Sequence, residues 1–268
     1  MSEVSYKPLI QDMTWSFSRI EAFNDCPYRW YLRYIKRYKE TEKFYASFGS
    51  FMHKLIEKYY RGVLTKEQML FSFLAGFSKE VVGYRPKEGT LQKYINCGVA
   101  YLKSFQPFPF EMVDVEKKVE FEIDGKRFIG FIDFLGKDGE DFAIVDNKSR
   151  ELKPRSKRAK PTRKDQELDE MLRQLYLYAA AVEQEYGKLP KWLCFNCFRS
   201  GEFIIEPFNQ EAYEEAKQWA LDTISKIEDS ESFPPIKDVF GCFWICGMSD
   251  YCKFDIADRE ERRWLDKS

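Results

Sequence analysis

The chain has 268 residues, 44% apolar and 32% charged, enough for one or two domains with a sizeable core. Aromatic residues at 17% exclude low-complexity disorder, and no run approaches the roughly 18 apolar residues of a membrane span. The formal charge of −1 excludes a generally basic nucleic-acid binder, and the start MSEVSYKPLIQD lacks a signal-peptide pattern, so a cytoplasmic location is expected.

A helix is expected over 16–37, with Ser18 as N-cap because Ser18-Arg-Ile-Glu21 has capping-box spacing. Pro27 should kink or split it. A second helix covers 48–62, with Phe51, Met52, Leu55, Ile56 and Tyr59 on one stripe. Further helix runs over 65–105, broken near Gly83–Gly89. Strands follow at 112–123, 127–135 and 141–148, the first pair turning at Asp124-Gly125. The stretch 150–164 reads as a mobile loop. A helix over 166–187, strands at 191–199 and 202–207, a helix over 209–228 and a cysteine-bearing tail complete the chain. The fold class is α/β: a mixed central sheet flanked by helices, with a helical N-terminal region and a C-terminal tail.

Charge is unevenly placed. Lys153, Arg155, Lys157, Arg158, Lys160, Arg163 and Lys164 fall within twelve residues that contain no acid. Such a segment attracts a polyanion even when the total charge is near zero. With Arg150 it is a candidate contact for DNA backbone phosphates, or else a solvated linker. Seven cysteines without a secretory signal point to metal rather than disulfides. His53 is the single histidine. Walker A, nucleophile-elbow and dinucleotide fingerprints are missing.

The informative segment is GFIDFLGKDGEDFAIVDNKSR, residues 130–150. With Asp138-Gly139 as the central turn residues, Asp133 faces Ile144. Asp146 and Lys148 then share the face of Asp133, with the two acids diagonal at roughly 7–8 Å. Both aspartates interrupt apolar strands, and a buried carboxylate needs a metal or a cation beside it. Glu116, in the first strand, reads equally as a further acid of this site or as a solvated strand position.

Asp133 followed by Asp146-Asn-Lys148 resembles the PD-(D/E)xK nuclease motif, in its RecB-like exonuclease branch, which includes AddB and CRISPR-associated exonucleases. Other elements match in order: Ser16-Phe-Ser-Arg-Ile-Glu-Ala-Phe-Asn-Asp-Cys26-Pro27, Gly49-Ser-Phe-Met-His53, Gly130-Phe-Ile-Asp133 and Gln174-Leu-Tyr-Leu-Tyr178. The resemblance implies a restriction-endonuclease-like fold. It implies His53, Asp133, Asp146 and the backbone carbonyl of Asn147 as ligands for Mg²⁺ or Mn²⁺. Lys148 then serves the chemistry, with Gln174 and Tyr178 as site residues. Taken alone, His53 reads as a packed helical histidine.

Cys242, Cys246 and Cys252 cluster in the tail. By the same resemblance Cys26 supplies a fourth ligand for a 4Fe–4S cluster, with a Cys₄ zinc site as the alternative. The first tail gap is three residues where the usual pattern has two. Cys194, Cys197 and Cys97 read as packed thiols.

One domain over 1–268 is expected: a helical region to 110, a nuclease core over 111–230 and a cysteine tail from 231. The expected function is metal-dependent exonucleolytic cleavage of single-stranded DNA or duplex ends in recombination, repair or processing. A helicase or recombination protein is the implied partner, with no membrane. The alternative is a catalytically silent iron–sulfur or zinc module that binds DNA or acts as a scaffold.

Overall fold

The computed structural model describes residues 6–254. Short helix α1 (Lys7–Gln11) leads to α2 (Phe17–Asp25) and α3 (Pro27–Trp30), which runs on as a π-helical turn, Tyr31–Ile35. Cys26 is extended and separates α2 from α3, with Pro27 in the first turn where its missing N–H costs nothing. The N-cap of α2 is Ser16, not Ser18: its hydroxyl accepts from Arg19 N–H at 3.2 Å. The chain at Trp15 is still extended, bridged to Phe128, so the turn of helix begins just beyond it. Helix α4 (Phe44–Tyr60) starts four residues before the expected boundary, because Phe44 and Phe48 continue its apolar stripe. Helices α5 (Lys66–Glu80) and α6 (Glu88–Ser104) complete the N-terminal half.

Strands β1 (Glu111–Ile123), β2 (Lys126–Asp138) and β3 (Asp141–Lys148) form an antiparallel meander. Helix α7 (Arg163–Tyr186) crosses over to β4 (Trp192–Cys197), which lies parallel to β3. A parallel pair needs such a crossover. Strand β5 (Glu202–Pro207) pairs antiparallel to β4, and α8 (Gln210–Glu228) follows. The sheet order is β1-β2-β3-β4-β5, the mixed helix-flanked α/β architecture expected from the sequence.

The β2–β3 turn differs from expectation. Asp138 pairs with Asp141, so Gly139 and Glu140 are the central residues. Gly139 has φ +59°, and glycine at the first central position is what a type II′ turn requires. The register therefore moves by two positions. Ladder pairs end at Phe134 with Val145, so Asp133 and Asp146 stand opposite each other rather than diagonally. A two-residue change preserves side-chain parity along a regular ladder, so Asp146 and Lys148 still share a face of β3.

Two apolar clusters cover the sheet. One packs α2, α7 and α8 against Phe128, Ile144 and Phe195; the other packs α4, α5 and α6 against Phe134, Val145 and Cys194. Cys194 and Cys197 are buried in opposite clusters, as packed thiols three apart on a strand should be. Cys97 is only half-buried on α6. Phe48 is fully buried and meets the rings of Phe73, Phe77, Tyr94 and Phe198. Phe48→Ala should therefore destabilise the fold by about 3–5 kcal/mol. Urea unfolding followed by tryptophan fluorescence reads this, and a loss under about 1 kcal/mol would contradict the packing.

Candidate metal centre

Three neighbouring strands each place an acid on one transverse row. Val115 pairs with Phe134 and Lys117 with Ile132, so Glu116 stands opposite Asp133. Asp133 in turn stands opposite Asp146. Glu116 has φ +51°, a left-handed backbone that a residue with a Cβ adopts only at a cost of about 1 kcal/mol or more. Side-chain alternation slips at the same level: Ile132 belongs to the α7-side core and Phe134, two residues on, to the α4-side core. The local twist brings the acids toward both flanking helices.

His53, one helical turn after Gly49 on α4, supplies the imidazole. Its Nδ1 lies 3.3 Å from Asp133 Oδ2. One ligand atom each from His53, Glu116 and Asp133 lies within 4.8 Å of the others, close enough to share an ion. The Asn147 main-chain N–H donates to Asp133 Oδ2 at 2.7 Å. The N–H and C=O of a strand residue point to the same side, so the Asn147 carbonyl is directed to that edge too. The Asn147 side chain turns away and its Oδ1 accepts from Asn196 Nδ2 at 2.7 Å. Asn196 also donates to the Tyr101 hydroxyl at 2.7 Å, which anchors this strand end to α6.

Burial sets the charges. Desolvation, with the Asp133 charge second, pushes the Glu116 carboxyl up to about 7. Asp133 is pushed up to about 6, again chiefly by burial; His53 opposes this and Asp146 adds to it. Lys148 Nζ lies 2.8 Å from Asp146 Oδ2 and donates to Gln174 Oε1 at 2.7 Å. The approach to Asp146 is that of an ion pair rather than an aligned hydrogen bond, so this buried oxygen keeps unused acceptor capacity. The clustered His53, Glu116 and Asp133, with the Asp146 carboxylate beside them, form a set of oxygen and imidazole donors that fits a divalent cation such as Mg²⁺ or Mn²⁺.

Gln174 and Tyr178 sit one turn apart on α7, with Gln174 Nε2 donating to the Tyr178 hydroxyl at 3.3 Å. Burial holds the Tyr178 phenol above its ordinary range. Its ring packs where a Cβ on residue 130 would be, so only glycine fits there. The Gly130-Phe-Ile-Asp133 element of β2 and the Gln174-to-Tyr178 element of α7 thus meet in one contact.

The expected basic loop is not uniformly available. Leu152 is buried. Lys153 pairs with Glu202, and Arg155 bridges Asp169 at 2.7 Å and Glu206 at 2.8 Å. Asp165 accepts from Ser156 and Thr162, capping α7 and fastening both ends of the segment. The stretch is therefore docked on β5 and α7 rather than mobile along its length. Arg163 and Lys164 belong to the first turn of α7, not to the loop. Lys157, Arg158, Lys160 and Lys164 form no ion pair among the described residues. Arg150 rests against Met171.

Cys26, Cys242, Cys246 and Cys252 line one narrow cavity. Cys26 Sγ accepts from the main-chain N–H of Arg29 at 3.5 Å and of Ile236 at 3.4 Å. Donors aimed at a sulfur suit a metal-bound thiolate. From composition and position alone, Glu116 fits a site acid and a solvated strand residue equally. Counting back from the Asp124-Gly125 turn puts it opposite Asp133, so the signal lay in the hairpin arithmetic. Asn196 and Tyr101 had no such signal.

Comparison with known proteins bears on the family and the fold. Residues 14–255 match the family model described as PD-(D/E)XK nuclease superfamily. A crystal structure from Eubacterium rectale named "Putative exonuclease" superposes with a TM-score of 0.51 at 12% identity, covering 87% of each chain. The crystal structure of SSO0001 aligns over 88% of this chain and 85% of its own, with a TM-score of 0.35 and 15% identity. No curated protein matches by sequence.

The cation site generates its own test. Glu116→Gln should weaken Mn²⁺ binding, measured by titration calorimetry, by about tenfold or more, the equivalent of ~1.4 kcal/mol. Unchanged affinity would remove Glu116 from the ligand set.

Proposed function

The chain belongs to the PD-(D/E)XK nuclease superfamily, and on that premise we propose that it is a metal-dependent deoxyribonuclease of the RecB-like exonuclease branch. Its substrate would be single-stranded DNA or duplex ends, met during recombination, repair or processing. The observation that carries this is the convergence of His53, Glu116 and Asp133 beside the Asp146–Lys148–Gln174 chain.

In this reading His53, Glu116, Asp133 and Asp146 hold Mg²⁺ or Mn²⁺, with the Asn147 carbonyl as a further ligand. A divalent cation supplies charge for the scissile phosphate and lowers the pKa of a water. The chain does the positioning. Asp146 and Gln174 hold the Lys148 ammonium at 2.8 and 2.7 Å, so its direction is set before substrate arrives. Tyr178 braces Gln174, and Gly130 gives Tyr178 its room. Asn196 steadies Asn147, whose N–H keeps Asp133 turned toward His53. Lys157, Arg158 and Lys160 would meet backbone phosphates, with Lys164 and Arg150 nearby, and without sequence readout. Lys153, Arg155 and Arg163 must first leave their carboxylate partners. The chain serves as one catalytic domain, and a helicase or recombination protein would open duplex for it.

The four cysteines would bind a 4Fe–4S cluster that joins the two ends of the domain. Support comes from the shared cavity and from the two N–H donors on Cys26.

Asp146→Ala should abolish Mn²⁺-dependent degradation of end-labelled DNA while circular dichroism stays the same. Retained cleavage would overturn the site. Anaerobically purified protein should be brown, with broad absorbance near ~400 nm, and Cys26→Ser should bleach it. Stoichiometric zinc without iron in the native protein would establish the Cys₄ zinc alternative instead.

A further inference from the structure

A cleft of about 890 Å³ is lined by Ser149 and Arg150, the residues directly after Lys148, and also by Cys26, Cys242 and Cys246. It therefore joins the rim of the metal centre to the cysteine pocket. Its walls come from α2, α4, α6 and the tail. Its volume is within the roughly 300–1,000 Å³ usual for ligand clefts.

The lining has a definite chemistry. Four cations face it: Arg29, Lys93, Arg150 and Arg199. Arg29 is engaged by Glu40, and Arg199 by Glu151. Lys93 and Arg150 form no ion pair among the described residues. Glu21, Asp25 and Asp238 also line the cleft, so the charge is mixed rather than a uniformly basic patch. What distinguishes it is aromatic surface interleaved with the cations. The rings of Tyr45 and Phe240 lie nearly parallel at 6.2 Å, and Phe240 is 53% exposed. Tyr45 also meets Tyr94 at 5.2 Å, and the Arg199 guanidinium lies 5.2 Å over the Tyr94 ring. A partly exposed aromatic platform flanked by lysine and arginine is how proteins hold unpaired nucleotides: bases stack on the rings and phosphates meet the cations. Bases within a duplex are already stacked on each other and offer no free face.

We propose that this cleft is the track for the single-stranded DNA segment adjoining the scissile phosphate, with Phe240 and Tyr45 as the stacking platform and Lys93, Arg150 and Arg199 as phosphate contacts. The inference rests on the nuclease reading above for its placement of the scissile phosphate at Lys148. A strand leaving Lys148 along the cleft would pass the platform and then run beside the cysteine pocket. Binding there would be tolerant of sequence, because every base has a face to stack.

The test separates track from chemistry. Phe240→Ala and Lys93→Ala remove exposed side chains, so folding is not at stake. Each is placed in the full-length protein carrying Asp146→Asn, which prevents cleavage. Fluorescence anisotropy then reads the affinity for a labelled strand of about 16 nucleotides and for a blunt duplex of equal length. The expected result is a weakening of about fivefold or more for the single strand with Phe240→Ala, with little change for the duplex. Lys93→Ala should weaken the strand and flatten the salt dependence by about one unit. In the same substitutions made with Asp146 intact, hydrolysis of thymidine 5′-(p-nitrophenyl phosphate) with Mn²⁺ reads the metal centre, since this diester carries no flanking strand to occupy the cleft. Unchanged strand affinity in both variants overturns the track and leaves the nuclease reading standing. A loss equal for strand and duplex also overturns it. Failure of the unsubstituted protein to hydrolyse the small diester or DNA counts against the nuclease reading, while the anisotropy result still decides whether the cleft binds single strands.

Discussion

Everything around the site answers one constraint: three carboxylates, Glu116, Asp133 and Asp146, stand in a row across three strands at a buried level of the sheet. Like charges this close raise each other's cost of ionisation, and burial raises it further. The structure meets that cost locally with His53 on one side, Lys148 on the other and the Asn147 N–H between them. The compensation is partial. Two carboxyls remain above their ordinary range, and the buried Asp146 has the Lys148 ammonium as its partner. A cluster left short of positive charge in this way could accept a cation, and its geometry persists because the surrounding strands are packed on both faces.

The two helices that complete the site are fixed for different reasons. Helix α4 brings His53 because its apolar stripe, from Phe44 to Ile56, has to bury against α5 and α6. Helix α7 brings Gln174 and Tyr178 because a crossover between parallel strands must pack on the sheet. Gly130 of β2 leaves room for the Tyr178 ring of α7. The side chains that act are thus held by elements whose positions the core determines, and none depends on a free loop.

The tail is held differently. Thr41 N–H donates to Gly247 O at 2.8 Å, Lys43 to Ser249 at 2.9 Å and the Thr41 hydroxyl to Asp250 at 2.6 Å. With the Ile236 N–H on Cys26, these bonds join segments about two hundred residues apart in sequence. They are few and partly exposed, each worth about 0.5–1.5 kcal/mol. A bound cluster or ion would add a cross-link to these hydrogen bonds and to the aromatic contacts of Phe240, Trp244 and Tyr251.

Much of this was legible in the chain itself. Helix and strand order follow from periodicity and turn residues, because these are local properties; the roles of His53, Asp133, Asp146, Lys148 and the cysteine set are what the family resemblance implies. Tertiary structure decided the rest. The register of the β2–β3 hairpin depended on whether Gly139 took the first or second central position, and the twist of the paired strands selected the first. The capture of Arg155 by Asp169 and Glu206 required β5 and α7 to converge, which composition could not reveal in a segment that reads as purely basic. Glu116 gained its role from a left-handed backbone opposite Asp133, and Asn196 and Tyr101 from contacts between elements distant in sequence. Periodicity records which face a residue prefers; only packing sets which neighbours share it.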